Sequence, residues 1–355
     1  MHWYDPLLYP FSFLYDGATR FRNHLFDIGK KKSVVFEVPT IAVGNLSMGG
    51  TGKTPMVELL LELLKGKYKM AALSRGYGRK TTGFFMADNH SDPSQIGDEP
   101  FQIFSKFGNE VAVAVGEERV VAIPQLLLQR PETEVIVLDD AFQHRYVKAD
   151  FYLLLTTYQR PFFRDKVVPL GTLREAASGA KRADMVIVTK CPDGLGSEEK
   201  TAYKTQILDL VDKDLPVLFA GLAYGNPVLV SGKGYSLEKG SEVVLVSGIA
   251  NDELFVKEAS LHFKVKQVER YSDHHHYKKG DVQKIVSILK NHPQAVLLTT
   301  EKDATKLKSH EFREYWRDFP IFALPIQVKL DAQDKALLES VLVKIIRDKA
   351  YTREV

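Results

Sequence analysis

The segment Ser47-Met48-Gly49-Gly50-Thr51-Gly52-Lys53-Thr54 holds residue types that grip a polyphosphate. Its glycines let backbone N–H groups curl round phosphate oxygens, Lys53 can reach the β and γ oxygens, and the Thr54 hydroxyl can ligate Mg2+. The first position departs from the general pattern G-x-x-x-x-G-K-[ST], because Ser47 stands where glycine is asked for. A serine is tolerated there if it stays at negative φ. The loop follows a β-branched run, PTIAVG at 39–44, and precedes an amphipathic stretch bearing Met56, Leu59, Leu60, Leu63 and Leu64. That strand, loop and helix context predicts nucleotide binding.

Four further groups carry possible chemistry. VIVLDDAFQH (135–144) reads as a partner strand with Asp139 and Asp140 at its tip, hard carboxylates suited to the Mg2+ of a bound triphosphate, or else acidic caps of a following helix. Asp98 and Glu99 in IGDEP (96–100) either cap the helix of Phe101, Phe104 and Phe107 or supply a carboxylate to the site. In DHHH (273–276), consecutive side chains diverge, so the three histidines do not easily share a metal. One of them could hydrogen-bond a carboxylate that takes a proton from an alcohol, and a surface histidine run is the alternative. RPFFRDKVVPLGTLRE (160–175) interleaves Arg160, Arg164, Lys166 and Arg174 with Phe162, Phe163 and Leu170, which suits an anionic, partly apolar ligand or an exposed loop of ordinary ion pairs.

Positioning these groups requires a sheet. Runs at 39–44, 70–76, 110–116, 134–140, 150–155 and 184–190 read as strands alternating with amphipathic stretches, the pattern of a parallel sheet covered by helices. Most end in a polar residue or glycine at the carboxyl edge, where open α/β sheets place ligands. A glycine-rich stretch at 215–240 reads as a linking hairpin, after which the pattern restarts at 242–251, 264–277, 294–304 and 319–328 before a closing helix over 332–349. The fold class expected is therefore α/β: a P-loop NTPase-like parallel sheet with helices on both faces, plus a smaller α/β C-terminal domain joined by a short hairpin-like linker.

The 355 residues, 45% apolar and 26% charged, suffice for two cores. A single cysteine, Cys191, excludes a disulfide framework or multi-cysteine metal cluster and fits a reducing compartment. With 48 basic against 45 acidic side chains, the net charge of +3 gives no bulk signal for nucleic acid. The aromatic N-terminus has ten uncharged residues in a row, Pro6 to Tyr15, too few to span a bilayer. Trp3, Leu7, Phe11, Leu14, Ala18, Phe21 and Leu25 fall on one face of a helix expected to begin near Pro10, followed by Arg20, Arg22 and Lys30 to Lys32. That face suits either the protein's own core or a membrane interface.

Taken together, GNLSMGGTGKTP, SRGYGR (74–79), GDEP (97–100), VLDDAFQH, PLGTLRE (169–175), VTKCP (188–192), SGIAN, DHH and TTEKDA (299–304) resemble the tetraacyldisaccharide 4'-kinases of lipid A biosynthesis, over nearly the whole chain. In that family the loop looks like GN, three residues, GG-x-GKT, so Ser47 conforms to it. The resemblance implies transfer of the γ-phosphate of ATP to the 4'-hydroxyl of a tetraacyldisaccharide 1-phosphate, with ATP and Mg2+ as cofactors. It implies Asp98 as base paired with His274, Lys53 and Arg174 stabilising the transferring phosphoryl group, and Asn45 and the loop residues Gly49 to Thr54 (49–54) holding nucleotide. Thr54, Asp139, Asp140 and Glu175 would serve the metal, and Arg75, Glu99, Gln143 and His144 would line the substrate side.

The corresponding domain assignment is a membrane-associating helix at 1–30, a P-loop kinase domain at 31–221, a linker at 222–240 and a C-terminal domain at 241–355. The expected setting is a monomer, peripheral on the cytoplasmic face of the inner membrane, with the acylated lipid as partner and no nucleic acid. A GTPase-like nucleotide switch or metallochaperone is the rival reading. TKCP (189–192) argues against it, with threonine first and proline where N-K-x-D requires aspartate. A non-catalytic membrane protein would leave Asp98, His274 and Arg174 unexplained.

Overall fold

The computed structural model describes residues 5–232, 236–273 and 275–354. In chain order these form α1 (Asp5–Asp27), β1 (Thr40–Asn45), α2 (Lys53–Leu64), β2 (Met70–Ser74), β3 (Phe85–Met86), α3 (Pro93–Ile96), α4 (Asp98–Phe107), β4 (Val111–Val115), α5 (Arg119–Gln129), β5 (Val135–Leu138), β6 (Phe151–Thr157), β7 (Met185–Thr189), α6 (Ser197–Val211) and β8 (Val217–Phe219). Then follow β9 (Gly221–Tyr224), β10 (Val228–Ser231), β11 (Glu242–Ser247), α7 (Glu253–His262), β12 (Lys264–Arg270), α8 (Lys279–Asn291), β13 (Val296–Thr300), α9 (Glu301–Leu307), β14 (Ile321–Leu324), β15 (Ile326–Lys329) and α10 (Ala332–Glu354).

The larger sheet has the order β3-β4-β2-β5-β1-β6-β7-β8, and its pairs are parallel apart from β3 with β4. Side chains alternate between its two faces, so continuous apolar strands such as VIVL feed two cores at once. Ile41, Val43, Val137, Leu153 and Ile187 pack beneath α2 and α4, while Ala42, Leu138, Leu154 and Val186 pack on the opposite side, with α5 and α6. This is the α/β sheet with helices on both faces that the sequence predicts. Because β5 is hydrogen-bonded directly beside β1, the carboxylates after β5 arrive next to the glycine loop after β1.

The smaller sheet has the order β10-β14-β13-β11-β12, parallel except for β10 with β14. Three features depart from the sequence expectation. The 215–240 stretch is not a hairpin: β9 pairs antiparallel with β15, and β10 joins the smaller sheet. Two short runs alone make a marginal hairpin, whereas the outgoing and returning chains can pair with each other where both cross between sheets.

The closing helix also lies elsewhere. Leu338, Leu342 and Ile346 of α10, one turn apart, are buried in the same core as Met56, Leu60 and Leu64 of α2, so the C-terminal segment of the expected 241–355 domain packs on the larger sheet. Lys349 adds an ion pair to Asp150 at 2.9 Å. An apolar stripe shows that a helix is buried but not which sheet buries it.

Finally, α1 starts at Asp5 and runs through Pro10 rather than beginning there. Its docked side is the mixed stripe Leu8, Ser12, Asp16, Thr19, Asn23 and Phe26, with Ser12 donating to the Val167 carbonyl at 2.9 Å. Leu7, Phe11, Leu14 and Phe21 point outward at 64–68% exposure, and Phe13 at 78%. Trp3 lies outside the described residues. No described helix is long and apolar enough to cross a membrane.

Candidate active site

The glycine loop is fixed at both shoulders. The 46–48 backbone runs antiparallel to 172–174: Met48 N–H donates to the Thr172 carbonyl and Arg174 N–H to the Leu46 carbonyl, both at 2.7 Å, with Ser47 bridged to Leu173. Ser47 is therefore extended and at negative φ, and the missing glycine costs nothing; the left-handed positions are Gly49 and Gly52, at φ 100° and 85°. The same pairing delivers the Arg174 side chain to the loop. Inside, the Asn45 amide donates to the Thr51 hydroxyl at 2.8 Å, so Asn45 shapes the loop from beneath. Lys53 and Thr54 open α2 at the loop's end.

Two cations converge on one carboxylate beside it. Lys53 Nζ lies 3.6 Å from Asp140 Oδ1, and Arg174 Nη1 donates to both Asp140 oxygens at 3.1 Å. Burial opposes ionisation, but Lys53 and Arg174 hold the Asp140 carboxyl below its ordinary value. Asp139 behaves oppositely: burial, then the Asp140 charge, push it up to about 6 despite Lys53. The Ser74 hydroxyl donates to Asp139 Oδ2 at 3.2 Å, and Asp139 Oδ1 is buried with no hydrogen-bond partner among the described residues. A buried carboxylate with an oxygen to spare, beside a second carboxylate, fits a hard divalent cation. Beneath them Arg119, 2% exposed, donates to the Asp139 carbonyl at 3.1 Å, and burial lowers it to about 10.

Asp98 and Glu99 form the first turn of α4 but do not cap it, since the N-cap is Gly97 and no side chain caps the helix, and both face the other unit. Lys306 of α9 sits 2.9 Å from Asp98, and Lys302 lies 3.6 Å from Glu99 and 3.5 Å from Asp273. The Glu99 charge adds to the effects that raise Asp139. His274 lies outside the described residues. Its neighbour His275 is hydrogen-bonded to Asp281 at 3.0 Å.

Other expected site residues turn away. Glu175 is 3% exposed and accepts from Arg182 at 2.7 Å, Gln143 at 3.1 Å and, in α1, Asn23 at 2.6 Å, so both its oxygens are committed to protein donors rather than open to a cation. Adjacent residues in extended chain face opposite sides, and Arg174 took the inward one. Gln143 also donates to the Asn45 carbonyl at 2.7 Å, which makes it a brace under β1. Burial, with Arg119, Arg22 and Arg75 nearby, drives His144 down to about 4. Arg75 is exposed at the end of β2. Within 160–175, Arg160 pairs with Asp165 at 2.9 Å, Arg164 stacks on Phe163 and Tyr203, and Lys166 donates to the Tyr9 hydroxyl of α1 at 3.2 Å, whereas Arg174 reaches Asp140 beside the loop.

Sequence reasoning missed Arg119, Thr189, Lys302 and Lys306. The lysines had a weak signal, spacing i, i+4 at the end of the apolar run 294–304; Arg119 had none, being a lone arginine beyond a strand.

Comparison with known proteins shows which family the sequence resembles. A family model described as tetraacyldisaccharide-1-P 4'-kinase matches residues 4–346. The tetraacyldisaccharide 4'-kinase of Flavobacterium psychrophilum is 42% identical over 329 residues, covering 92% of this chain and 93% of that one. The enzyme of the same name from Bacteroides fragilis is 42% identical over 335 residues, covering 91% and 88%. Among solved structures, LpxK of Aquifex aeolicus in complex with ATP superposes with a TM-score of 0.73 at 29% identity, covering 96% of this chain and 99% of that one.

Proposed function

The chain belongs to the tetraacyldisaccharide-1-P 4'-kinase family, and from that premise we propose how its cleft works. The protein is a kinase of lipid A biosynthesis that uses ATP to phosphorylate the 4'-hydroxyl of a tetraacyldisaccharide 1-phosphate. The observation that supports the site assignment best is the convergence of Lys53 and Arg174 on Asp140, beside the unpartnered oxygen of Asp139.

In this reading the loop N–H groups surround the triphosphate, and Lys53 and Arg174 exchange Asp140 for oxygens of the γ-phosphate. Thr54, Asp139 and Asp140 would hold Mg2+, with Glu175 acting at one remove through α1 and Gln143. When bound, the ion neutralises charge on the phosphate oxygens. Asp98 accepts the proton of the sugar hydroxyl as that oxygen attacks the γ-phosphorus and ADP leaves, with His274 as its partner. Glu99, Arg75 and His144 would line the acceptor side, with His144 kept neutral by burial. Catalysis rests on placing these charges before reaction.

The outward apolar face of α1 supports a peripheral position on the cytoplasmic face of the inner membrane. Because α1 is pinned to Glu175, Gln143 and the 166–175 segment, a membrane-bound α1 would set the cleft at the lipid surface. The discriminating assay follows labelled γ-phosphate from ATP into acylated disaccharide 1-phosphate in mixed micelles, with ATP hydrolysis without lipid as control. Label in the lipid is expected; hydrolysis at an equal rate without lipid, and none transferred, would remove the kinase assignment of this cleft.

A further inference from the structure

Lys302 and Lys306 sit one turn apart on α9, on the same face of the helix. Each touches the same two segments. Lys306 lies 2.9 Å from Asp98 and donates to the His275 carbonyl at 3.1 Å; Lys302 lies 3.6 Å from Glu99 and 3.5 Å from Asp273. The first turn of α4 and both neighbours of residue 274 are thus held by two rungs from one helix.

The rungs stand on a rigid base. Thr300 caps α9 by accepting from Asp303 N–H at 3.1 Å, and Asp303 in turn accepts from the Gly248 N–H at 2.8 Å and the Thr300 hydroxyl at 2.7 Å. At the same helix start, Glu301 pairs with Lys106 of α4 at 2.6 Å and accepts from Ile326 N–H of β15 at 3.2 Å. Lys106 also pairs with Glu58 of the helix after the glycine loop, at 2.7 Å. The Lys306 side chain is 7% exposed and that of Asp98 13%, so their pair is little screened by water.

We infer that Lys306, supported by Lys302, is the positioning residue of the acceptor side: it sets the Asp98 carboxylate in register with Asp273 and His275 across the two sheets. The inference rests on the proposed role of Asp98. Lys306 holds one Asp98 oxygen at 2.9 Å and so fixes the orientation of the carboxylate. Because α9 belongs to the smaller sheet, the base is correctly aimed when the two units are in contact through α4 and α9.

The test is a cycle of K306M, D98N and their combination in the full-length enzyme, with K306R and K302Q alongside, reading kcat and the KM values for ATP and lipid. A misaimed base costs roughly 10- to 100-fold in rate. K306M is expected to lower kcat by that amount with KM for ATP unchanged, K306R to recover part of it, and K302Q to give a smaller loss of the same kind. In the D98N background K306M should have no further effect. Should K306M fold poorly, K306R and K302Q still decide the matter, since a purely structural role would lower melting temperature without separating kcat from KM for ATP. Wild-type kcat in both K306R and K302Q, or a full additional loss from K306M in D98N, overturns the inference. Near-normal turnover by D98N alone would instead overturn the assignment of the base, whatever the lysines do.

Discussion

The hydroxyl of Thr189, at the end of β7, donates to the Thr51 carbonyl within the glycine loop at 2.8 Å and lies 3.1 Å from the Thr156 carbonyl of β6. This strand end is where a guanine-reading protein would carry its N-K-x-D asparagine. Here the side chain is turned inward to brace the loop, so the threonine that argued against a GTPase has a structural task. Replacing Thr189 with Val keeps the shape and removes the buried donor, at a cost of about 1 kcal/mol. KM for ATP should rise roughly 3- to 10-fold, with kcat less affected. An unchanged KM would show that the loop keeps its form without this bond.

Ser47 gives a sharper test of the loop's first position. Its extended pairing with Leu173 needs no glycine, so Ser47→Gly restores the general pattern while adding unfolded-state freedom. Denaturant unfolding should show a loss of about 0.5–1 kcal/mol, and ATP affinity should not improve. Tighter ATP binding in the variant would mean that the serine does constrain the loop.

The four outward residues Leu7, Phe11, Leu14 and Phe21 can be changed together to Ser without touching the docked stripe of α1. Each buried apolar side chain is worth about 1.5–3 kcal/mol, so partitioning onto anionic vesicles should fall by at least roughly 100-fold. The melting temperature should stay close to that of the parent protein. Full sedimentation with vesicles would place the membrane contact elsewhere.

His144 makes stability depend on pH. Burial, with Arg119, Arg22 and Arg75, holds its folded pKa near 4, against 6.5 when unfolded. Between these values the unfolded chain takes up a proton that the folded one refuses, so stability is lost as pH falls from 6.5 towards 4, and there is no contribution above 6.5. His144→Gln should flatten that part of the melting-temperature profile relative to wild type. Parallel profiles through the window would sink the assignment.

Leu342 tests where α10 belongs. Its side chain is fully buried in the core shared with α2, so Leu342→Ala should destabilise the larger unit by about 2–5 kcal/mol. Hydrogen exchange should show the loss in β1 and α2. A loss confined to the smaller sheet would contradict the packing.

The chain's local order was legible because it depends on near neighbours. Alternating β-branched runs, the glycines around Lys53 and the carboxylates at the tip of β5 fix strands, loop and the metal-side chemistry within a few residues of each other. That the sheet is parallel and covered follows from those runs being apolar on both faces, but that β5 lies against β1 does not. What the tertiary structure alone decided involves partners far apart in the chain. Arg174 faces in and Glu175 out because 172–174 pairs with 46–48; α10 crosses back to α2; β9 finds β15; Lys306 finds Asp98. No short-range rule chooses among such partners, since an apolar stripe or a lysine is satisfied equally well by any matching surface. The choice is made once both sheets are packed and each buried charge must find its counterpart.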